Sequence, residues 1–241
     1  MDKIIFRIRK ELKQKSDPRI KKQTQRFFKE KIKTYGVKTP VVREISKKYF
    51  REIKNLTKKR IFSLCEELLK FGYNEEIAIA LDWVYRIKKQ LTKSDFPILG
   101  RWLKKYIGNW GTCDDFSTHI LGYFLFQYPE FLRETKIWAK SKNRWLRRAS
   151  AVSLIYSLRR GQALEQVLHI VDILLQDEDD LVRKGYGWML KEASNIYRQE
   201  VFEYVMRNKD KMPRVALRYA VEKMPGEMKR KAMIVRGNYS P

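Results

Sequence analysis

The stretches WLRRASAVSLIYSL at residues 145–158, LVRKGYGWMLKEAS at 181–194 and RVALRYAVEKM at 214–224 are variants of one pattern. Each places basic residues early and follows them with apolar residues at three- and four-residue spacing, the period of an amphipathic helix. Superposing them makes Arg148, Lys184 and Arg218 equivalent, at offsets of 36 and 34 residues. A period of that length fits one helix pair per repeat, and such pairs bury their apolar faces only by stacking on one another. The predicted architecture is all-α: HEAT-like helical repeats forming a curved α-solenoid, with basic residues laddered along a concave face. Ala149, Gly185, Tyr186 and Tyr219 adjoin the ladder. The small ones are places where a second helix or a ligand backbone can come close.

The same period runs through the rest of the chain, and no period-two run marks a strand. Asp17-Pro18 reads as an N-cap followed by a first-turn proline, and Thr39-Pro40 repeats the signal. Gly36 is expected to close a helix ending at Thr34-Tyr35. Thr57, Asn74, Ser94, Thr112 and Asn143 mark further helix starts, and Pro129, Pro213 and Pro225 lie near later ones. The expectation is about a dozen helices, each of roughly 10 to 18 residues. No Pro- or Ser-rich linker divides the chain. One domain is expected over residues 1–241, with strongly basic N-terminal helices in 1–60 stacked on helical repeats in 61–241.

Charge narrows the partner. The chain of 241 residues carries a formal net charge of +25, which opposes compaction and calls for an acidic partner. Residues 1–60 hold 22 Lys or Arg against 6 Asp or Glu, so most of the excess lies there, interleaved with aromatics. Clustered cations neutralise phosphates and release counterions, which points to a nucleic acid, read as double-stranded DNA once the resemblance below is added. A membrane surface would need one amphipathic basic helix, whereas here the charge runs along the whole chain. No apolar stretch is long enough to span a bilayer, and the N-terminal segment does not read as a secretory signal. The expected location is the cytoplasm, and the expected state a monomer. Cys65 and Cys113 sit in apolar helical patterns and read as reduced, buried thiols. His119 and His169 are far apart, so neither a metal site nor a bound cofactor is expected.

Phosphate-cradling glycine loops and a G-x-S-x-G serine elbow are absent from the sequence. An enzyme built from this chain would work with carboxylates and aromatics. The segment that stands out is Asn109-Trp110-Gly111-Thr112-Cys113-Asp114-Asp115-Phe116. Trp110 and Asp114 are four residues apart and share a face if the segment is helical. A carboxylate set among phosphate-binding cations opposes DNA, so Asp114 is either a chemical group or a helix-start acid with Thr112 as cap.

Four segments together resemble the AlkD-type DNA alkylation repair family over essentially the whole chain. They are Gly36-Val37-Lys38-Thr39-Pro40, Trp110 to Asp115, Trp145-Leu146-Arg147-Arg148-Ala149, and Lys184 to Glu192. The resemblance implies a HEAT-like fold and an active cleft formed by Trp110, Asp114, Arg148 and Trp188. Phe27 looks like the counterpart of a family tyrosine ahead of the glycine turn, without its hydroxyl. Where glycosylases of the family read W-D-x-V-D, this chain reads W-G-T-C-D, with Asn109 beside the tryptophan.

The activity implied is release of N3- or N7-alkylated purines from duplex DNA, with recognition at the backbone and no deep base pocket. Asp114, Trp110 and Trp188 would be catalytic. Arg148, Lys184, Arg147, Lys191, Arg218 and Phe27 would contact DNA. The other reading is a HEAT-repeat protein that binds damaged, bent or branched DNA without cleaving anything.

Overall fold

The computed structural model describes residues 2–234; residue 1 and residues 235–241, the two ends of the expected domain, lie outside the described residues. The described residues form helices joined mostly by short turns, with an irregular stretch between Arg26 and Thr39 and a single isolated bridge between Lys33 and Tyr73. The contacts divide between Phe116 and Ser117 into two compact units.

The first unit holds α1 (Lys3–Gln14), α2 (Pro18–Arg26), α3 (Thr39–Ile53), α4 (Lys58–Leu69), α5 (Asn74–Arg86), α6 (Phe96–Tyr106) and α7 (Trp110–Asp115). Ile5, Ile8 and Leu12 fall at three- and four-residue spacing on α1 and are fully buried. α1 packs on α3 and α4, and α5 packs on both α3 and α4. The basic N-terminal stretch thus shares a core with the helices that follow it, and no boundary falls at residue 60. α2 is the exception. It buries none of its residues, and Arg19, Lys21, Lys22 and Arg26 stand in solvent.

The second unit holds α8 (Gly122–Gln127), α9 (Leu132–Ala139), α10 (Arg144–Val152), α11 (Ile155–Leu158), α12 (Leu164–Leu174), α13 (Asp180–Ala193), α14 (Arg198–Asn208), α15 (Arg214–Ala220) and α16 (Gly226–Met233). α13 packs against α10 on one side and α15 on the other. The three similar segments are therefore consecutive neighbours, stacked as the 36- and 34-residue offsets predict. α9, α12, α14 and α16 pack behind them as a second row, in an α-solenoid-like arrangement. Close approach has a visible cause. A Cβ on Gly187 would lie 2.8 Å from Tyr219 Cβ and 2.9 Å from the Ala216 carbonyl oxygen. On Gly185 it would lie 3.2 Å from Arg148 Cγ. Helices, one on each side of α13, occupy the space these small residues leave.

Local signals have mixed outcomes. Asp17, Thr57 and Asn143 cap α2, α4 and α10 through their side chains, and Pro18 takes the first turn. Pro129 opens a 3-10 turn, and Pro213 and Pro225 precede α15 and α16. Thr39 is already inside α3, behind Lys38, which offers no side-chain cap. Asn74 is the first residue of α5, behind Tyr73, and Ser94 lies within a 3-10 turn. Thr112 is not a cap either, because the Asn109 side chain accepts its backbone N–H at 3.0 Å. The helix expected to end at Thr34-Tyr35 does not form; α2 stops at Arg26, and Gly36 has φ +83° in an irregular turn. The helices are also more numerous and shorter than expected, from four residues in α11 to 15 in α3.

Candidate nucleic-acid interface

Around α7 the first unit assembles an aromatic and acidic cluster. Asn109 starts the helix, which fixes Trp110 at its first residue and Asp114 one turn on. Trp110 stacks on Phe28, with centroids 5.3 Å apart and planes at 27°, and its Nε1 donates to the Phe27 carbonyl at 3.3 Å. Phe27 offers its backbone here, while the residue as a whole is 72% exposed. Trp110 and Asp114 are both half-buried and reachable from solvent. Phe28 was missed by sequence reasoning, since adjacent phenylalanines at the end of a polar helix give no periodicity to choose between them.

Behind this cluster, the turn that carries the G-V-K-T-P segment is held by a carboxylate. Glu75, buried at the start of α5, accepts from Thr34 Oγ1 at 2.6 Å and from the backbone N–H groups of Tyr35 (3.1 Å), Gly36 (2.9 Å) and Val37 (3.1 Å). Next to it Glu76 receives the Arg9 guanidinium and the Tyr35 hydroxyl, the latter at 2.6 Å. Burial, and then Glu76, push the Tyr35 phenol upward.

In the second unit the predicted residues lie on α10, α13 and α15. Arg148 is only 6% exposed; its stem lies against Gly185 and its Nη1 donates to the Leu181 carbonyl. Arg147 binds Asp177 through Nε (2.6 Å) and Nη2 (3.3 Å), and its Nη1 reaches the carbonyls of Ser141 and Lys142. Lys184 pairs with Asp180 at 2.7 Å on the surface of α13. Lys191 pairs with Glu222 at 3.3 Å, and Arg218 is exposed. The half-buried Trp188 packs on the core, and its Nε1 donates to Glu192 Oε1 at 3.0 Å. Glu192 also receives Arg159 Nε at 3.0 Å. Burial works to raise the Glu192 carboxyl, but the Arg159 guanidinium and the indole N–H outweigh it and hold it below the usual carboxylate range.

The geometry thus brings Trp110, Asp114 and Phe27 together in one unit, and Arg148, Arg147, Lys184, Trp188, Lys191 and Arg218 on three packed helices of the other. Both cysteines are buried thiols. Among the described residues, no three His, Cys, Asp or Glu side chains are grouped to hold a metal ion, and no helix is long and apolar enough to cross a membrane.

Comparison with known proteins supplies the class. The model of the family described as DNA alkylation repair enzyme matches residues 8–224, and the chain belongs to that family. Its fold is shared with a solved structure described as a predicted DNA alkylation repair enzyme from Enterococcus faecalis. The TM-score is 0.78 at 15% identity, over 88% of this chain and 98% of that one. No curated protein matches the sequence significantly. The family membership assigns the chain a general role in DNA repair.

Proposed function

We propose that the protein is a monofunctional DNA glycosylase, releasing cationic N3- or N7-alkylated purines from duplex DNA by hydrolysis of the N-glycosidic bond. The observation that carries this reading is the half-buried Asp114, one helical turn from a stacked Trp110, in a chain with a net charge of +25. Alkylation at N3 or N7 leaves the base positively charged and ready to depart, so no acid is needed to protonate it. What the protein must supply is stabilisation of an oxocarbenium-like sugar and a placed water. Asp114 provides the negative charge and orients the water. Trp110 offers an electron-rich face to a cation, worth roughly 0.5–2 kcal/mol, and Trp188 is a second such face within its own unit.

Phosphates are gripped by Lys184, Lys191 and Arg218, with Arg147 and Arg148 adding positive potential from behind, and Phe27 presenting its ring to the duplex. In the first unit the exposed cations of α2 offer further phosphate contacts, and no apolar period in that helix competes with that use. The working form is a cytoplasmic monomer on double-stranded DNA. The test is incubation with duplex DNA containing 7-methylguanine or 3-methyladenine, followed by cleavage of abasic sites. Asp114→Asn should abolish base release while duplex affinity stays equal or rises slightly. Wild-type protein giving no strand breaks above background, yet binding duplex, would leave a non-catalytic DNA binder.

A further inference from the structure

Glu192 follows Trp188 by four residues on α13, so the two side chains share a helix face, and each carboxylate oxygen has its own partner. Oε1 accepts the Trp188 indole N–H at 3.0 Å, and Oε2 accepts from Arg159 Nε at 3.0 Å. Arg159 is the C-cap residue of α11, a helix packed against α13. The tie therefore runs between two helices: α11 fixes the carboxylate, and the carboxylate fixes one edge of the indole. A glutamate held by the indole alone would keep its rotamer freedom and grip the ring only part of the time.

Satisfying the indole does not require this arrangement. Trp188 is half-buried, so water can accept its N–H. Glu192 is only 9% exposed, and taking a carboxylate out of water costs free energy that its partners must offset. The fold thus desolvates a carboxylate to hold one edge of one partly open ring. Arg159 neutralises that carboxylate, and Lys223 adds positive potential, so Glu192 does not set a bare negative charge beside DNA phosphates.

We propose that Glu192 is a positioning residue: anchored by Arg159, it sets the tilt at which Trp188 presents its open face to the cationic sugar. The inference rests on the base-excision reading and adds a pair of residues that act through the indole. Tilt matters because the face of an aromatic ring attracts a cation and its edge repels one. A misplacement of about 1 Å in a catalytic constellation can cost on the order of a hundredfold in rate.

Three measurements on the full-length protein test this: single-turnover release of 7-methylguanine from a duplex, duplex affinity by fluorescence anisotropy, and exchange of the indole N–H by NMR. Glu192→Ala should slow release about tenfold while duplex affinity stays within about twofold. Arg159→Ala, at a half-exposed side chain, should slow release several-fold. In Trp188→Phe, whose ring has no N–H to hold, Glu192→Ala should add less than about twofold. The Trp188 Nε1–H signal, identified by its absence from Trp188→Phe, should exchange with water about tenfold faster in Glu192→Ala and in Arg159→Ala. If Glu192→Ala fails to fold, the same cycle built on Arg159→Ala decides.

Equal slowing by Glu192→Ala with and without the indole overturns the proposal, as does unchanged exchange of the indole N–H. A loss that falls on duplex affinity and spares the release step overturns it too. Wild-type protein that releases no base removes the glycosylase reading and this inference together. Base release with additive losses removes the inference alone.

Discussion

The ring of Trp110 rests on the ring of Phe28 at a centroid separation of 5.3 Å, nearly parallel. An aromatic contact of this kind contributes about 0.5–1.5 kcal/mol beyond the area it buries. It also orients the indole at the start of α7. Phe28→Ala should therefore slow base release up to about tenfold through loss of Trp110 orientation. Phe27→Ala, which removes an exposed ring and keeps the carbonyl that Trp110 uses, should change thermal stability by no more than about 0.5 kcal/mol. Single-turnover base release and thermal unfolding of both variants check the pair.

Gly36 has φ +83°, and a Cβ there would lie 2.7 Å from the Lys21 backbone nitrogen and 2.8 Å from Lys21 Cβ. Conformation and space both exclude a side chain. Gly36→Ala should lower the free energy of unfolding by about 2 kcal/mol or more, visible as a lower urea midpoint. An unchanged midpoint would mean the turn is not packed against α2.

The Glu75 carboxylate accepts from four donors, which an amide N–H₂ could not do. Glu75→Gln preserves shape but turns a donor toward donors. The expected cost is about 2–3 kcal/mol, measured by chemical denaturation, with faster exchange of the amides at Tyr35, Gly36 and Val37.

Glu192 is held below the usual carboxylate range in the folded protein. A depressed folded value means its contribution to stability is present above the unfolded value and is lost as pH falls through the folded one. Glu192→Gln should therefore lower stability at neutral pH, and the gap to wild type should close on acidification below about pH 4.3. Denaturation curves between pH 3 and pH 7 would show it, and a gap independent of pH would contradict the ionic role.

Lys184 and Arg147 should respond in opposite ways. The surface pair of Lys184 with Asp180 contributes little, about 0.3–0.5 kcal/mol, so Lys184→Ala should leave stability nearly unchanged. It should reduce the slope of log affinity against log salt for duplex DNA by about 1. Arg147 ties the start of α10 to Asp177, with both side chains largely shielded. Arg147→Ala should cost about 2 kcal/mol or more of stability. Fluorescence anisotropy across a salt series, beside urea melts, separates the two.

Much of the local structure could be read from spacing. The 36- and 34-residue offsets among Arg148, Lys184 and Arg218 reappear as the neighbouring helices α10, α13 and α15. The caps at Asp17, Thr57 and Asn143 formed because each side chain needs only a backbone N–H two or three residues away. The errors at Gly36 and Thr112 share one cause, competition for a backbone N–H. Glu75, some 40 residues away in sequence, takes the N–H groups of the 34–37 turn, and Asn109 takes that of Thr112.

Among the candidate site residues, type was legible and environment was not. Trp110 and Asp114 could be placed on one helical turn from their spacing, but the choice of Phe28 over Phe27 as the stacking partner needed the path of the chain after Arg26. Arg148 and Lys184 are alike in the repeat alignment, yet one is buried against Gly185 and the other stands on the surface.

Composition and periodicity determined by themselves that this chain is helical, repetitive and strongly cationic, because those properties depend on residues close in sequence or on sums over all of them. Tertiary structure alone decided which cations are spent inside the protein and which aromatic supports Trp110. Those outcomes depend on which distant groups compete for the same hydrogen bonds and the same space, and that competition is settled only when the helices pack.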